Sequence, residues 1–145
     1  MRVVAFLLIA ISICTSSSYA AEDEPRNGNW WNGQSRSEKI DYVIGMFDGT
    51  ILGRNFATWN GMKDGKAEDW AAKADASYKK YVDEYMTDIT ARQVADGLDV
   101  LYSDFKNRTI MVANGVWVVL RQIKGSTPSE VEQLLENLRR YSGRR

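Results

Sequence analysis

Five aspartates are the side chains of this sequence best placed to do chemistry. Asp41 and Asp48 stand two helical turns apart, Asp96 and Asp99 are three residues apart, and Asp104 follows in the next turn. A pair of carboxylates flanking a glycosidic bond can hydrolyse it, one acting as acid and the other as base or nucleophile. Carboxylates carry this question because other chemistry is missing. The chain has no histidine, which removes the commonest general base, the Ser-His-Asp triad and imidazole metal ligation. Its one cysteine is Cys14, inside a segment expected to be cut away, so thiol catalysis and thiolate zinc sites go with it. No P-loop, dinucleotide fingerprint or HExxH motif is present, and no cofactor or metal is implied. The plainer reading is that aspartates on amphipathic helices form the solvated face. Asp48, between Phe47 and Gly49, is the one expected to be buried, pairing with an arginine or capping a neighbouring helix. Asp104 and Asn107, in "YSDFKNRTI", read as turn and capping residues that hold two helices together.

The tract "GRNFATWNGMKDGKAED" (53–69) offers a second possibility. Asn60, Asp64 and Gly65 suggest a calcium loop, but Met62 stands at the third loop position and Ala71 where the bidentate glutamate belongs,. A surface loop is the expectation. Within it, Arg54–Asp64 sets Phe56 and Trp59 among polar and glycine residues, the usual look of an interface anchor. The competing reading tucks both rings into the core. Phe56, Trp59 and Asp64 are the candidate binding residues.

These candidates need elements to hold them. Ser35 with Glu38 makes a capping box, and Ile40, Ile44, Phe47 and Ile51 follow at helical spacing, giving a first helix from Ser35 to about Leu52. Gly45, Gly49 and Gly53 lie on roughly the opposite side of it. Each interior glycine costs about 0.5–1 kcal/mol relative to alanine, so some gain is expected in return. The expected gain is close approach of another helix, the fourth, against Gly45 and Gly49. A groove kept open for a ligand is the alternative, and Gly53 can simply end the helix. A second helix covers about Ala67–Met86, with Trp70, Ala74, Tyr78, Tyr81 and Tyr85 on one face. The third opens at Thr90 with Gln93 as capping partner, and its stripe is Val94, Leu98, Leu101, Tyr102 and Phe105. "IMVANGVWVVLRQIKG" reads as a fourth helix buried on most sides, with a strand as the alternative because of its β-branched residues. The fifth has Thr127 as cap, Pro128 at its first position and Glu130 closing the box. Its stripe is Val131, Leu134, Leu135, Leu138 and Tyr141.

The N-terminus differs from the rest. Arg2, the apolar run Val3–Ile13 and small residues at Ser18 and Ala20 read as a secretory signal peptide over 1–20, cut after Ala20. An uncut anchor is the alternative, although the run is short of the about 20 residues a span needs. Ile13 before Cys14 is not the small residue a lipidation site prefers. Export without disulfides suits a bacterial periplasm. Residues 21–34 read as a flexible entry segment whose Trp30 and Trp31 fold back onto the body, and 35–143 as the helical domain. Losing Arg2 leaves 18 basic against 19 acidic side chains, a net charge of −1. Without a basic stripe, neither nucleic acid nor an anionic membrane is an expected partner.

Two segments together carry a resemblance. "SRSEKIDYVIGMFDG" is similar to a Ser-x-x-x-Lys-x-x-Tyr-Val-x-Gly-x-x-Asp-Gly pattern, and "ITARQVADGLDVLYSDFKNRTIMVANGVWVVLRQIKG" to a Gly-Leu-Asp…Tyr-x-Asp…Asn…Ile helix-turn-helix. Both recur in small exported helical bacterial proteins, among them the immunity proteins of type VI secretion amidase effectors, the Tai family. The resemblance spans about 35–53 and 89–125. It implies a compact periplasmic helical domain and, in the immunity members, the blocking of a cell-wall amidase. It transfers no contact residue, because the plugging loops of that family vary.

The expected protein is therefore an all-α bundle of about five helices after a cleaved leader. It is not an enzyme, and it acts by binding a periplasmic protein partner. A small-ligand or cell-wall-glycan binder using the tyrosine face, and a carboxylate hydrolase, remain the alternatives.

Overall fold

The computed structural model describes residues 25–63 and 67–142; the signal-peptide reading and Asp64 fall outside them. Among the described residues the fold is all-α. A short helix α1 (Gly28–Asn32) leads into α2 (Arg36–Lys63) and α3 (Ala67–Tyr81), which ends in a π-helical turn (Val82–Met86). Then come α4 (Ala91–Ser103), a 3-10 turn (Phe105–Asn107), α5 (Val112–Ile123) and α6 (Pro128–Ser142). No described helix is long and apolar enough to cross a membrane.

The caps form as local chemistry dictates. Thr90 Oγ1 accepts from Gln93 N at 3.2 Å while Gln93 returns Oε1 to Thr90 N at 2.8 Å. Thr127 and Glu130 repeat the exchange at 3.3 and 2.8 Å, and Ser35 with Glu38 at 3.4 and 2.8 Å. Each satisfies amide groups that a helix start leaves orphaned.

The core belongs to α1, the start of α2, α4, α5 and α6. Helix α5 is central, with Val112, Val116, Val118, Val119 and Leu120 all buried, and its helical course over Val112–Ile123 rules out the strand alternative. Val94, Leu98, Leu101 and Tyr102 of α4 cover one side, Val131 and Leu135 of α6 another. Phe105 and Tyr141, read as the ends of these two stripes, are instead exposed; both sit at element ends, beyond the reach of the facing helix. Trp31 is fully buried, and its partner Trp30 leans on Tyr42 with ring centroids 5.0 Å apart. Residues 28–32 are thus a helical plug rather than a flexible entry, capped by Asn27.

Close backbone approach does occur, at other glycines than expected. A methyl at Gly97 would stand 2.4 Å from Val119 Cγ1, and one at Gly115 would meet the Tyr102 hydroxyl at 2.5 Å. These two glycines let α4 and α5 pack face to face. At Gly45, Gly49 and Gly53 an added methyl would meet nothing within 4 Å. The structural role read for Gly45 and Gly49 is therefore corrected. Helix α2 meets α4 through the side carrying Val43, and no described helix covers the glycines.

Candidate functional site

The carboxylates separate into two groups. Asp99 Oδ1 accepts from Trp31 Nε1 and from Lys39 Nζ, each at 2.8 Å. Arg36 reaches Asp96 at 2.5 Å and the second oxygen of Asp99 at 3.6 Å. Lys39 also lies 5.5 Å from the Trp31 ring centroid. This node ties α1, α2 and α4 together, and its acids already hold cations. The sequence signal for it was Arg36 and Lys39 one turn apart, opposite the Asp96–Asp99 pair. Asp41 and Asp48 are exposed, so Asp48 is corrected from a buried structural pair. It stands on the side of α2 that no described helix covers.

Asp104 and Asn107 do join helices. Asp104 Oδ1 accepts from Lys106 N at 3.0 Å and caps the 3-10 turn. Asn107 is the one buried polar side chain among the described residues. Its Nδ2 donates to Leu101 O at 2.9 Å, and its Oδ1 accepts from Arg139 Nε at 3.0 Å. It therefore bolts α4 to α6 from inside the turn. Tyr102 lies beside it, with its hydroxyl donating to Ile110 O at 3.2 Å. Burial, and secondarily Tyr42, push that phenol well above its ordinary pKa.

The tyrosine face of α3 turns inward. Tyr81 stacks on Trp117 of α5 at 5.7 Å, Tyr85 meets the same ring edge-on at 4.7 Å, and Arg121 stands 5.8 Å from it. Desolvation raises the Tyr81 pKa, as a half-buried phenol requires. A sugar needs an open aromatic face, and these rings engage one another. Two hollows lined by described residues bear on these candidates. One, of about 340 Å³, is lined by Pro25, Asn27, Thr109, Met111, Asn114, Tyr141 and Ser142. The other, of about 200 Å³, lies between α2 and α3 beside Arg54 and Asp75. Only the second holds carboxylates, Asp75 and Asp83, and Asp75 is paired with Arg54. No cluster of three metal-ligating side chains occurs among the described residues.

The most unusual surface is on α2. At 28 residues it is about 42 Å long,, and beyond Phe47 no described side chain on it is fully buried. This distal half pairs with α3 as a helical hairpin, an arm attached to the core. Arg54 fastens the arm by its ion pair to Asp75 and by lying 5.0 Å over the Tyr78 ring. Phe56 and Trp59 sit on this helix, not on a loop, which corrects the loop reading as far as Lys63. Asparagine and glycine cost a helix only about 1 kcal/mol each or less, and the packing of α3 along α2 outweighs that. At 100° per residue, Ile44, Ile51, Leu52, Phe56 and Trp59 fall in one sector about 140° wide. They are 45, 46, 53, 52 and 56 % exposed. Gly45, Gly49 and Gly53 run along its edge. A ridge of large apolar side chains thus borders a bare strip of backbone, and both face away from Val43. The repeat of four between the glycines was legible in the sequence; that it lies open was not.

Fold and surface together define an all-α bundle with a helical-hairpin arm whose outer face carries five half-exposed large apolar side chains alongside Asp48 and Asn55. Comparison with protein-family models, curated proteins and solved structures returns no match.

Proposed function

We propose that this chain is a non-catalytic protein-binding domain of an exported compartment, and that the α2–α3 arm is its docking element. One observation carries the reading: the five large apolar side chains gathered half-exposed on one side of α2, with Phe56 and Trp59 at its outer end. Asp48 and Asn55 share the sector, but five large apolar side chains half open on one side of a helix are more than scattered surface residues, and such groupings mark interaction sites. Aromatic anchors in such a patch are the residues on which binding energy concentrates. The compartment follows from the leader-like residues 1–20, and a cell-wall amidase, implied by the resemblance, is the first partner to try.

The test is capture from periplasmic extract by wild-type protein and by the variant Phe56→Ala with Trp59→Ala. A specific partner retained by the first and lost by the second, with equal helicity by circular dichroism, supports the reading. A partner held equally by both moves the interface elsewhere. Hydrolysis of cell-wall fragments by the purified chain would overturn the non-catalytic part.

A further inference from the structure

Helix α5 runs through the core, yet its start is only partly capped. Met111 stands at the cap position without a side-chain hydrogen bond, and the first turn carries no acid. The main chain ahead of α1 supplies one acceptor instead. Asn27 and Met111 form an antiparallel bridge, and Val112 N donates to Arg26 O at 2.8 Å. The next two amides, of Ala113 and Asn114, have no acceptor among the described residues, and both residues are exposed. The hollow of about 340 Å³ opens at the same place. Pro25, Asn27, Met111 and Asn114 line it together with Tyr141 and Ser142 of α6. From this we infer that the occupant of the hollow is the chain's own segment 22–24, turned back so that the carboxylates of Asp23 and Glu24 accept from the Ala113 and Asn114 amides and complete the cap of α5. The inference is independent of the arm.

Chain direction favours this occupant. Antiparallel pairing of Asn27 with Met111, and of Arg26 with Val112, sends the residues before them toward Ala113 and then Asn114. Pro25 restricts Glu24 to an extended conformation. At about 3.3–3.6 Å per residue, Asp23 lies within about 7 Å of Pro25, which already lines the hollow,.

Charge favours it as well. Glu22, Asp23 and Glu24 are consecutive acids. A helix start carries the positive end of the dipole and free amides, and a carboxylate answers both. The chain's other end also reaches this place, since Ser142 lines the hollow and Gly143, Arg144 and Arg145 follow it. Those arginines are repelled by a helix start, which makes them poor caps, but they stand within pairing reach of acids in the hollow. The space suits side chains rather than solvent alone, being far larger than the about 30 Å³ of one water. A segment lying in it covers the Tyr141 ring, which is otherwise 74 % exposed. The expected cut after Ala20 leaves all three acids on the mature chain.

Amide hydrogen exchange, read residue by residue by NMR on protein purified from expression of the full chain, tests this. The Ala113 and Asn114 amides should be protected in the wild type. Combined Glu22→Gln, Asp23→Asn and Glu24→Gln should speed both a few-fold, the weight of a carboxylate at a helix start, while amides later in α5 keep their rates. Lysine at the same three positions, which cannot accept, should speed them further. In a Cys14→Ser background, Asp23→Cys with Asn114→Cys should form a disulfide within one chain on oxidation, since such a bridge needs Cα atoms about 4.4–6.8 Å apart. Asp23→Cys with Gln122→Cys, about 12 Å further along α5, should not. Unprotected Ala113 and Asn114 amides in the wild type, or equal cross-linking of the two pairs, overturns the inference. Protection that survives both sets of substitutions overturns it too, and leaves the hollow to another molecule.

Discussion

Gly49 and Gly97 are both interior glycines of packed α-helices, and alanine should move stability in opposite directions at the two. At Gly49 an added methyl meets nothing within 4 Å, so only the backbone effect operates. Alanine restricts the unfolded chain and suits the helix better, a gain of about 0.5–1 kcal/mol. For a chain of this size 1 kcal/mol moves the melting temperature by roughly 3–5 °C, so Gly49→Ala should raise it by roughly 2–5 °C. At Gly97 the same methyl would lie 2.4 Å from Val119 Cγ1 and 3.2 Å from Cγ2. Val119 is 1 % exposed and β-branched, so it cannot swing aside without colliding with its own core neighbours. Overpacking of this kind costs typically about 1–3 kcal/mol, more than the helix propensity returns. Gly97→Ala should therefore melt lower by several degrees. The assay is thermal unfolding by circular dichroism. If Gly49→Ala fell by as much as Gly97→Ala, a neighbour would have to cover the α2 glycines within one chain. That result would refute the assignment of close approach to α4 and α5.

Asn107→Leu leaves Leu101 O and Arg139 Nε without their partner, and should cost about 1–3 kcal/mol by denaturant titration; Asn107→Asp, which keeps the acceptor, should recover part of it. Tyr102→Phe loses a single buried hydroxyl contact to Ile110 O and should cost about 0.5–1.5 kcal/mol, with the phenol titration of the folded wild type shifted above its usual alkaline range. The Glu130 carboxylate is held below its ordinary pKa first by the Thr127 amide and then by its hydroxyl, and Glu38 first by the Ser35 hydroxyl and then by its amide. A lowered folded pKa means stability present at neutral pH and lost as pH falls through the acidic carboxylate range, below about 4.3. Glu130→Gln, measured by urea unfolding from pH 7 to pH 3, should flatten that part of the profile; an unchanged slope would remove the cap as its source.

What could be read from the sequence, and what could not, divides along the range of the interaction. The capping boxes at Thr90 and Thr127 were legible because all the atoms involved lie within four residues, and both bond reciprocally in the structure. The stripe Val94–Leu98–Leu101–Tyr102 was legible because burial on one side of a helix leaves a period of 3.6. The length of α2 was not, because Asn55, Asn60 and Gly61 are breakers worth at most about 1 kcal/mol each, and the packing of α3 that overrides them joins residues some twenty apart, such as Arg54 and Asp75. The glycines show the limit most sharply. Gly45, Gly49 and Gly53 advertise contact by their spacing, yet no neighbour among the described residues comes within 4 Å of a methyl placed there; Gly97 and Gly115 carry the contact with no spacing to mark them. Spacing reports only that one side of a helix is smooth. Whether the smooth side is covered depends on which partner the rest of the chain delivers. Here the first half of α2 spends its Val43 side on α4, and α3 takes the same side further out. Both layers available in the described fold are thereby used, and the glycine side of α2 can be covered only by atoms from beyond it.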